Sequence, residues 1–250
     1  MSIITQILGL VIVFLTSGLI LIFSLPRKKK PPMIFRSIPA VDYLKQALGL
    51  AIEQGTRIHI SLGKANLTDP SCASTLASLT SLEKIAESYI SGDLSPVVTT
   101  GEGAINLLSR DSIQAACRIG KAPELFDPDS ARLTGVTPFS YAVGSLPVIY
   151  SGVVTTNVLI GHFGSEVLLL TEAAEKTDSQ LFNASDSLQA QAVMFASTEN
   201  TLLGEEIFAL PAYLSENRVH QASLYAQDYL RLLLVFTLVI GAILTFLGYL

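Results

Sequence analysis

Apolar side chains follow three patterns in this chain: unbroken at both ends, alternating in a few short stretches, and spaced three or four apart through most of the middle. From Ile3 to Leu25 no side chain is charged, and only Thr5, Gln6, Thr16, Ser17 and Ser24 are polar. About 23 helical residues extend roughly 34 Å, enough to cross the hydrocarbon of a bilayer. Leu232 to Leu250 is likewise uncharged and follows Arg231. Nothing breaks the helical pattern from Glu216 onward, which predicts one last helix of about 35 residues whose span runs over 229–250.

Between the ends the pattern alternates between helix and strand. Val41, Leu44, Leu48, Ala51 and Ile52 predict a helix that begins near Pro39 and stops at Gly55. Ile58, Ile60 and Leu62 alternate with Arg57, His59 and Ser61, which predicts a strand with one wet or polar-packed face near a sheet edge, His59 among the outward residues. Asp69-Pro70 predicts the start of a helix running to Ile90, followed by a turn at Asp93–Pro96 and a strand over Val97–Thr100. The next helix covers Ala104–Ile119, with Gly120 and Pro123 as stop signals. Asp127-Pro128 predicts a single turn, and Thr137-Pro138 a longer helix through Tyr150 that Pro147 kinks or restarts. Val158-Leu159-Ile160 reads as a strand buried on both faces, with a helix from Ser165 to Lys176 after it. Gln180–Ala184 is a further strand, Asp186 a cap for a helix through Phe195, and Asn200–Leu214 helix bent at Pro211. Strands alternating with helices at this spacing predict an α/β, Rossmann-like domain with a mainly parallel sheet; they do not fix the strand order.

Charge changes this picture by giving the ends a direction. Arg27, Lys28, Lys29 and Lys30 follow the first apolar run, whereas a cleaved secretory signal carries its basic residues ahead of a shorter one. Cations stay on the cytoplasmic side, so the expected arrangement is a two-pass protein of the cytoplasmic membrane. Its parts are a span over 3–25 with its start outside, a basic and Pro-rich linker over 26–38, a cytoplasmic domain over 39–228, and a span over 229–250 with its end outside. All 21 acidic residues follow the first run and five of the 16 basic ones lie in the linker, leaving the remainder at about −10. An acidic domain of this kind excludes nucleic acid as a partner, while the basic stalk suits anionic headgroups of the lipid bilayer.

Candidate chemistry is sparse. Cys72 and Cys117 belong to no ligand spacing, and His59, His162 and His220 are too scattered to announce a metal; no cofactor is expected. In a parallel sheet, ligands sit beyond the carboxyl ends of the strands. Four loops should gather there: Gly63–Asn66 with Lys64; Thr99–Gly103 with Thr100, Gly101, Glu102 and Gly103; Gly161–Glu166 with His162, Ser165 and Glu166; and Ser185-Asp186. Gly101-Glu102-Gly103 lacks the third glycine of a dinucleotide fingerprint, and Gly63-Lys64 is no phosphate-loop motif. His162 beside Glu166 is the pair best suited to acid–base work, although a carboxylate in a first helical turn also suits the helix dipole. In the second span, Thr237, Gly241 and Thr245 form a small-residue face with Gly248 near it, and Gly9, Thr16 and Gly18 offer a counterpart in the first.

Three stretches carry a resemblance: Asn157 to Glu172, Gly204-Glu205-Glu206 through Ala212-Tyr213-Leu214, and Ala222 to Arg231. Together they resemble an uncharacterised bacterial membrane family, a domain of unknown function with an α/β cytoplasmic domain between two transmembrane helices. The resemblance implies a bacterial cytoplasmic membrane and a helix passing from domain into bilayer. It brings no activity and no catalytic residue. The leading expectation is therefore a non-catalytic scaffold or assembly subunit, in a homo-oligomer or with other membrane protein subunits. A sensor that binds an anionic or nucleotide-like metabolite at the strand-end loops is the alternative. A membrane-bound transferase or hydrolase using His162 with Glu102 or Glu166 ranks third.

Overall fold

The computed structural model describes residues 3–25, 35–90, 92, 94–215 and 218–247. The basic block Arg27–Lys30 and its prolines lie outside the described residues, as do Asp93, Glu216 and Gly248. The chain divides into two compact units, Arg36–Leu214 and the pair of flanking segments Met1–Phe35 with Ser215–Leu250.

In the larger unit the elements run α2 (Pro39–Gln54), β1 (Arg57–Gly63), α3 (Cys72–Ile90), β2 (Val97–Thr100), α4 (Gly103–Ile119), β3 (Ala131–Leu133) and α5 (Pro138–Ile149). They continue as β4 (Val154–His162), α6 (Val167–Lys176), β5 (Gln180–Ser185), α7 (Leu188–Ser197), β6 (Thr201–Leu203) and α8 (Glu206–Leu214). All the strand pairings are parallel, in the order β3-β2-β1-β4-β5-β6. That is the strand order of the doubly wound nucleotide-binding fold, with its switch point between β1 and β4.

Each strand sends alternate side chains to opposite layers. Ile58, Ile60 and Leu62 of β1, Val158 and Ile160 of β4, and Phe182 and Ala184 of β5 pack under α2, α3, α4 and α8 in one large apolar core. Leu159 and Leu181 face the other way, toward Tyr141, Phe163, Val167, Leu170, Ala190 and Met194 of the layer formed by α5, α6 and α7. This second face is crossed by a polar seam. Fully buried His59 bonds through Nδ1 to Asn157 Oδ1 at 2.9 Å and through Nε2 to Thr99 Oγ1 at 2.8 Å, and Asn157 Nδ2 donates to Ser179 Oγ at 2.7 Å. The seam ties β2, β1 and β4 together where apolar side chains would otherwise meet.

The structure corrects several expectations. β1 is central rather than near an edge, and the polar side of its alternation faces inward, so His59 is enclosed. β3 and β6 are two strands the periodicity does not predict; β6 lies where a helix from Asn200 was expected. Both flank the sheet and are three residues long, too short for a period to register. β4 reaches from Val154 to His162, well beyond its apolar centre. Pro147 falls in the last turn of α5, which continues to Ile149. Asp69 does not cap α3: its carboxylate takes the Asn66 amide at 2.8 Å and its backbone oxygen takes the Cys72 N–H at 3.0 Å.

In the smaller unit α1 (Ile3–Ser24) packs along α9 (Arg218–Phe246), with the Phe23 ring 5.2 Å from that of Tyr229 and 6.3 Å from that of Tyr225. Among the described residues, α9 is the one helix long and apolar enough to cross a membrane; α1 contributes a shorter apolar stretch, Gly9–Ser24. Among the described residues, a Cβ at Gly9, Gly18 or Gly241 would meet nothing within 4 Å. Thr237 and Thr245 turn their hydroxyls onto the carbonyls of Leu233 and Gly241.

Candidate functional site at the strand ends

The carboxyl ends of β1 and β4 meet in a knot of backbone. Gly63 has φ +72°, and a Cβ there would lie 2.3 Å from the His162 carbonyl oxygen. Opposite it, a Cβ on Gly161 (φ +151°) would lie 2.3 Å from the Leu62 oxygen. Only glycine permits this approach, and it brings the loop amides within reach of protein acceptors. Lys64 N donates to His162 O at 3.0 Å, and Gly101 N to Gly63 O at 3.0 Å. Gly63 N donates to the Tyr141 hydroxyl at 3.1 Å, and that hydroxyl also bonds Ser61 Oγ. Tyr141 is enclosed by α5 and the sheet; burial pushes its pKa up to about 12, so it stays a neutral phenol that accepts one bond and shares another.

The helix starts around this knot already hold carboxylates. Glu102 caps α4, its Oε2 accepting the Ile105 N–H at 2.8 Å. Glu166 is buried at the head of α6, and its Oε1 accepts the Gly164 N–H at 2.8 Å. These are the positions, free amides at a helix N-terminus next to a glycine turn, where a phosphate would bind. Here Glu102 takes one amide of the α4 start, and Glu166 takes the loop amide that precedes α6.

The remaining candidates are distributed around that arrangement. His162 does not hydrogen-bond Glu166; its Nδ1 lies 2.8 Å from Oδ1 of Asp186, on the loop after the neighbouring strand. The carboxylate accepts, so the ring's Nδ1 hydrogen points at Asp186. Asp186 therefore does not cap α7, whose N-cap residue is Ser187. Both partners are partly exposed, at 35% and 23% of their side-chain surface. The Lys64 stem packs on Gly101, where a Cβ would meet Lys64 Cβ at 2.7 Å. Thr100 is buried, with its hydroxyl 3.4 Å from the Glu102 carbonyl oxygen, while Gly103 and Ser165 are exposed. Among the described residues no three His, Cys, Asp or Glu side chains gather as a metal site. Cys117 is buried, which pushes its thiol pKa up, and Cys72 is half-buried.

Tyr141 and Asp186 are the participants that sequence reasoning did not place in these roles. The one available signal for Tyr141 was a phenol in a stretch with no charged residue from Leu133 to Ser165, where a buried hydroxyl must find a partner.

A family profile covers residues 2–250. The chain belongs to the DUF6754 family, a domain of unknown function. No curated protein and no solved structure matches it. The DUF6754 domain thus comes with the strand order of the doubly wound fold, and several amides around its strand ends bond to Tyr141, Glu102, Glu166 and neighbouring carbonyls.

Proposed function

We propose that this DUF6754 chain is a membrane-anchored, non-catalytic α/β domain that acts as a scaffold or assembly subunit of a membrane complex. One observation carries the reading: the amides of Gly63, Lys64, Gly101, Ile105 and Gly164, around the strand ends, are bonded by the chain itself. A site designed for an anionic ligand leaves such donors free until the ligand arrives. The anchor consists of two spans, α1 and α9, in the cytoplasmic membrane of a bacterial cell. The uncharged run of Ile3–Leu25, the apolar length of α9 and the cations Arg27–Lys30 support this arrangement, with the α/β unit on the cytoplasmic side.

A second reading, a sensor for an anionic or nucleotide-like metabolite, draws on the partly exposed His162–Asp186 pair, the one acid–base couple at the strand ends among the described residues. Extraction of the full chain from native membranes in mild detergent, followed by native mass spectrometry, tests the assembly reading. The expected result is a particle heavier than one 26.8 kDa chain. A single chain that carries no other subunit contradicts it.

A further inference from the structure

Asn183, in the middle of β5, is fully buried, and neither its amide nitrogen nor its amide oxygen has a hydrogen-bond partner among the described residues. The other buried side-chain atoms in that position, Thr75 Oγ1, Ser95 Oγ and Asn106 Oδ1, stand one to a residue. A carboxamide has two hydrogens to give and two lone pairs to fill, so enclosing it unbonded costs more than enclosing a lone hydroxyl.

Parallel register fixes its surroundings. Leu159 of β4 and Thr201 of β6 lie level with it, on strands about 4.8 Å to either side, and Ser185 follows on the same face about 6.6 Å along β5. That face looks to α7. Thr201 Oγ1 lies 3.3 Å from the Met194 carbonyl oxygen and 3.0 Å from that of Thr198, and Gln191 Nε2 donates to the Ser185 carbonyl oxygen at 3.2 Å. These bonds hold α7 across β5 and β6. The buried residues of α7 are Ala190 and Met194, a methyl and a flexible thioether, and Gly161, level with Ser185 on β4, adds no side chain. Polar capacity is left over as well. Ser185 Oγ accepts the Ser187 N–H at 3.3 Å and keeps its own proton, while Thr201 Oγ1 spends its proton on α7 and keeps lone pairs.

We propose that an internal water site lies here, between β5, β6 and α7, with Asn183 as its chief ligand and Ser185 and Thr201 beside it. A water accepts from Asn183 Nδ2 or the Ser185 hydroxyl and donates to Asn183 Oδ1 or Thr201 Oγ1, which supplies the two to four polar partners that an enclosed water needs. Enclosure selects water over a metabolite, because Asn183 and Ser185 have no exposed surface through which a larger molecule could enter. Charge excludes an ion: β5, α7 and β6 carry no Lys, Arg, Asp or Glu to balance one.

Two measurements on the full chain test this. Asn183→Leu exchanges the amide for an apolar group of similar volume. An amide that serves a water leaves that water's other partners unsatisfied when it is removed, so the melting temperature, followed by far-UV circular dichroism, is expected to fall by about 3–8 °C. An amide without a ligand is instead relieved of its burial cost, and an unchanged or raised midpoint overturns the inference. A crystal structure of the wild type at about 1.8 Å separates loss of the water from misfit of the leucine. It should show density of a water's size within about 3.2 Å of Asn183 Nδ2 or Oδ1. An Asn183 bonded to protein groups alone, or to a larger molecule, overturns the inference whether or not the variant folds.

Discussion

Gly63→Ala is expected to lower the melting temperature of the α/β unit by more than about 8 °C, or to prevent its folding. The methyl would sit 2.3 Å from the His162 oxygen and 3.0 Å from its carbonyl carbon, and both are backbone atoms of the central strand pair, with no flexible end to yield. Left-handed φ adds roughly 1–2 kcal/mol of strain for a residue with a Cβ. Relieving the clash means parting the ends of β1 and β4. This breaks the Lys64 N to His162 O bond and disturbs the Gly63 N to Tyr141 bond, at about 1 kcal/mol each. A total above about 3 kcal/mol is a large share of the 5–15 kcal/mol that holds a domain together, and each kcal/mol moves the midpoint of a unit this size by about 2–4 °C. Gly55→Ala is the control: its φ is +64°, but a Cβ there meets nothing within 4 Å, so only the strain of about 1 kcal/mol applies. The chain has no Trp, so far-UV circular dichroism is the measurement. Equal losses in the two variants would show that the crowding at Gly63 is not what matters.

The second large effect is acid lability centred on His59. Burial holds its pKa down at about 4 against an ordinary 6.5; the Asn157 hydrogen bond offsets part of that shift and the nearby charge of Arg132 adds to it. In the unfolded chain the imidazole takes up a proton below about pH 6.5, whereas in the folded domain it stays neutral down to about 4. The unfolded state therefore binds more protons between those values, and stability falls as pH drops through that window. The full effect is about 3 kcal/mol, with a slope near 1.4 kcal/mol per pH unit in the middle of the window. His59→Gln keeps a donor and an acceptor but cannot titrate. Urea midpoints of both proteins between pH 5 and 6.5 should show wild type losing stability relative to the variant by roughly that slope. Parallel curves would place the proton elsewhere.

The parts of the fold legible in the sequence are those whose local chemistry and tertiary role agree. Gly55 ends α2 with a left-handed φ of +64°, Thr137-Pro138 opens α5 with its hydroxyl accepting the Ser140 N–H, and Asp127 makes the single turn its proline announces. Ile58, Ile60 and Leu62 alternate because one face of β1 meets the large core. His59 and Ser61 alternate just as well while lying inside, since a buried face satisfied by Asn157, Thr99 and Tyr141 has the same period as a wet one. β3 and β6 escape because three residues at a sheet margin are held by one neighbour's hydrogen bonds rather than by an apolar repeat. At the site, the four loops could be assigned to strand ends, but the pairing within them could not. His162 has Glu166 four residues away, which invites the pair, and Asp186 lies 24 residues on, a distance only the β4–β5 register closes. Glu102 and Glu166 read equally as ligand groups or as helix caps; the bond to Ile105 N makes Glu102 a cap, while Glu166 turns back to the loop amide of Gly164 and caps nothing.

Amides around the switch point are bonded from within the chain, and a phosphate-bearing ligand would have to displace those bonds. Titrating the detergent-solubilised full chain with nucleotides and phosphorylated metabolites, while following its melting temperature, tests this most directly. No shift is expected with any of them, in wild type and in His162→Ala alike. A saturable rise of several degrees with one compound, abolished by His162→Ala, would contradict it and move the function to the strand ends.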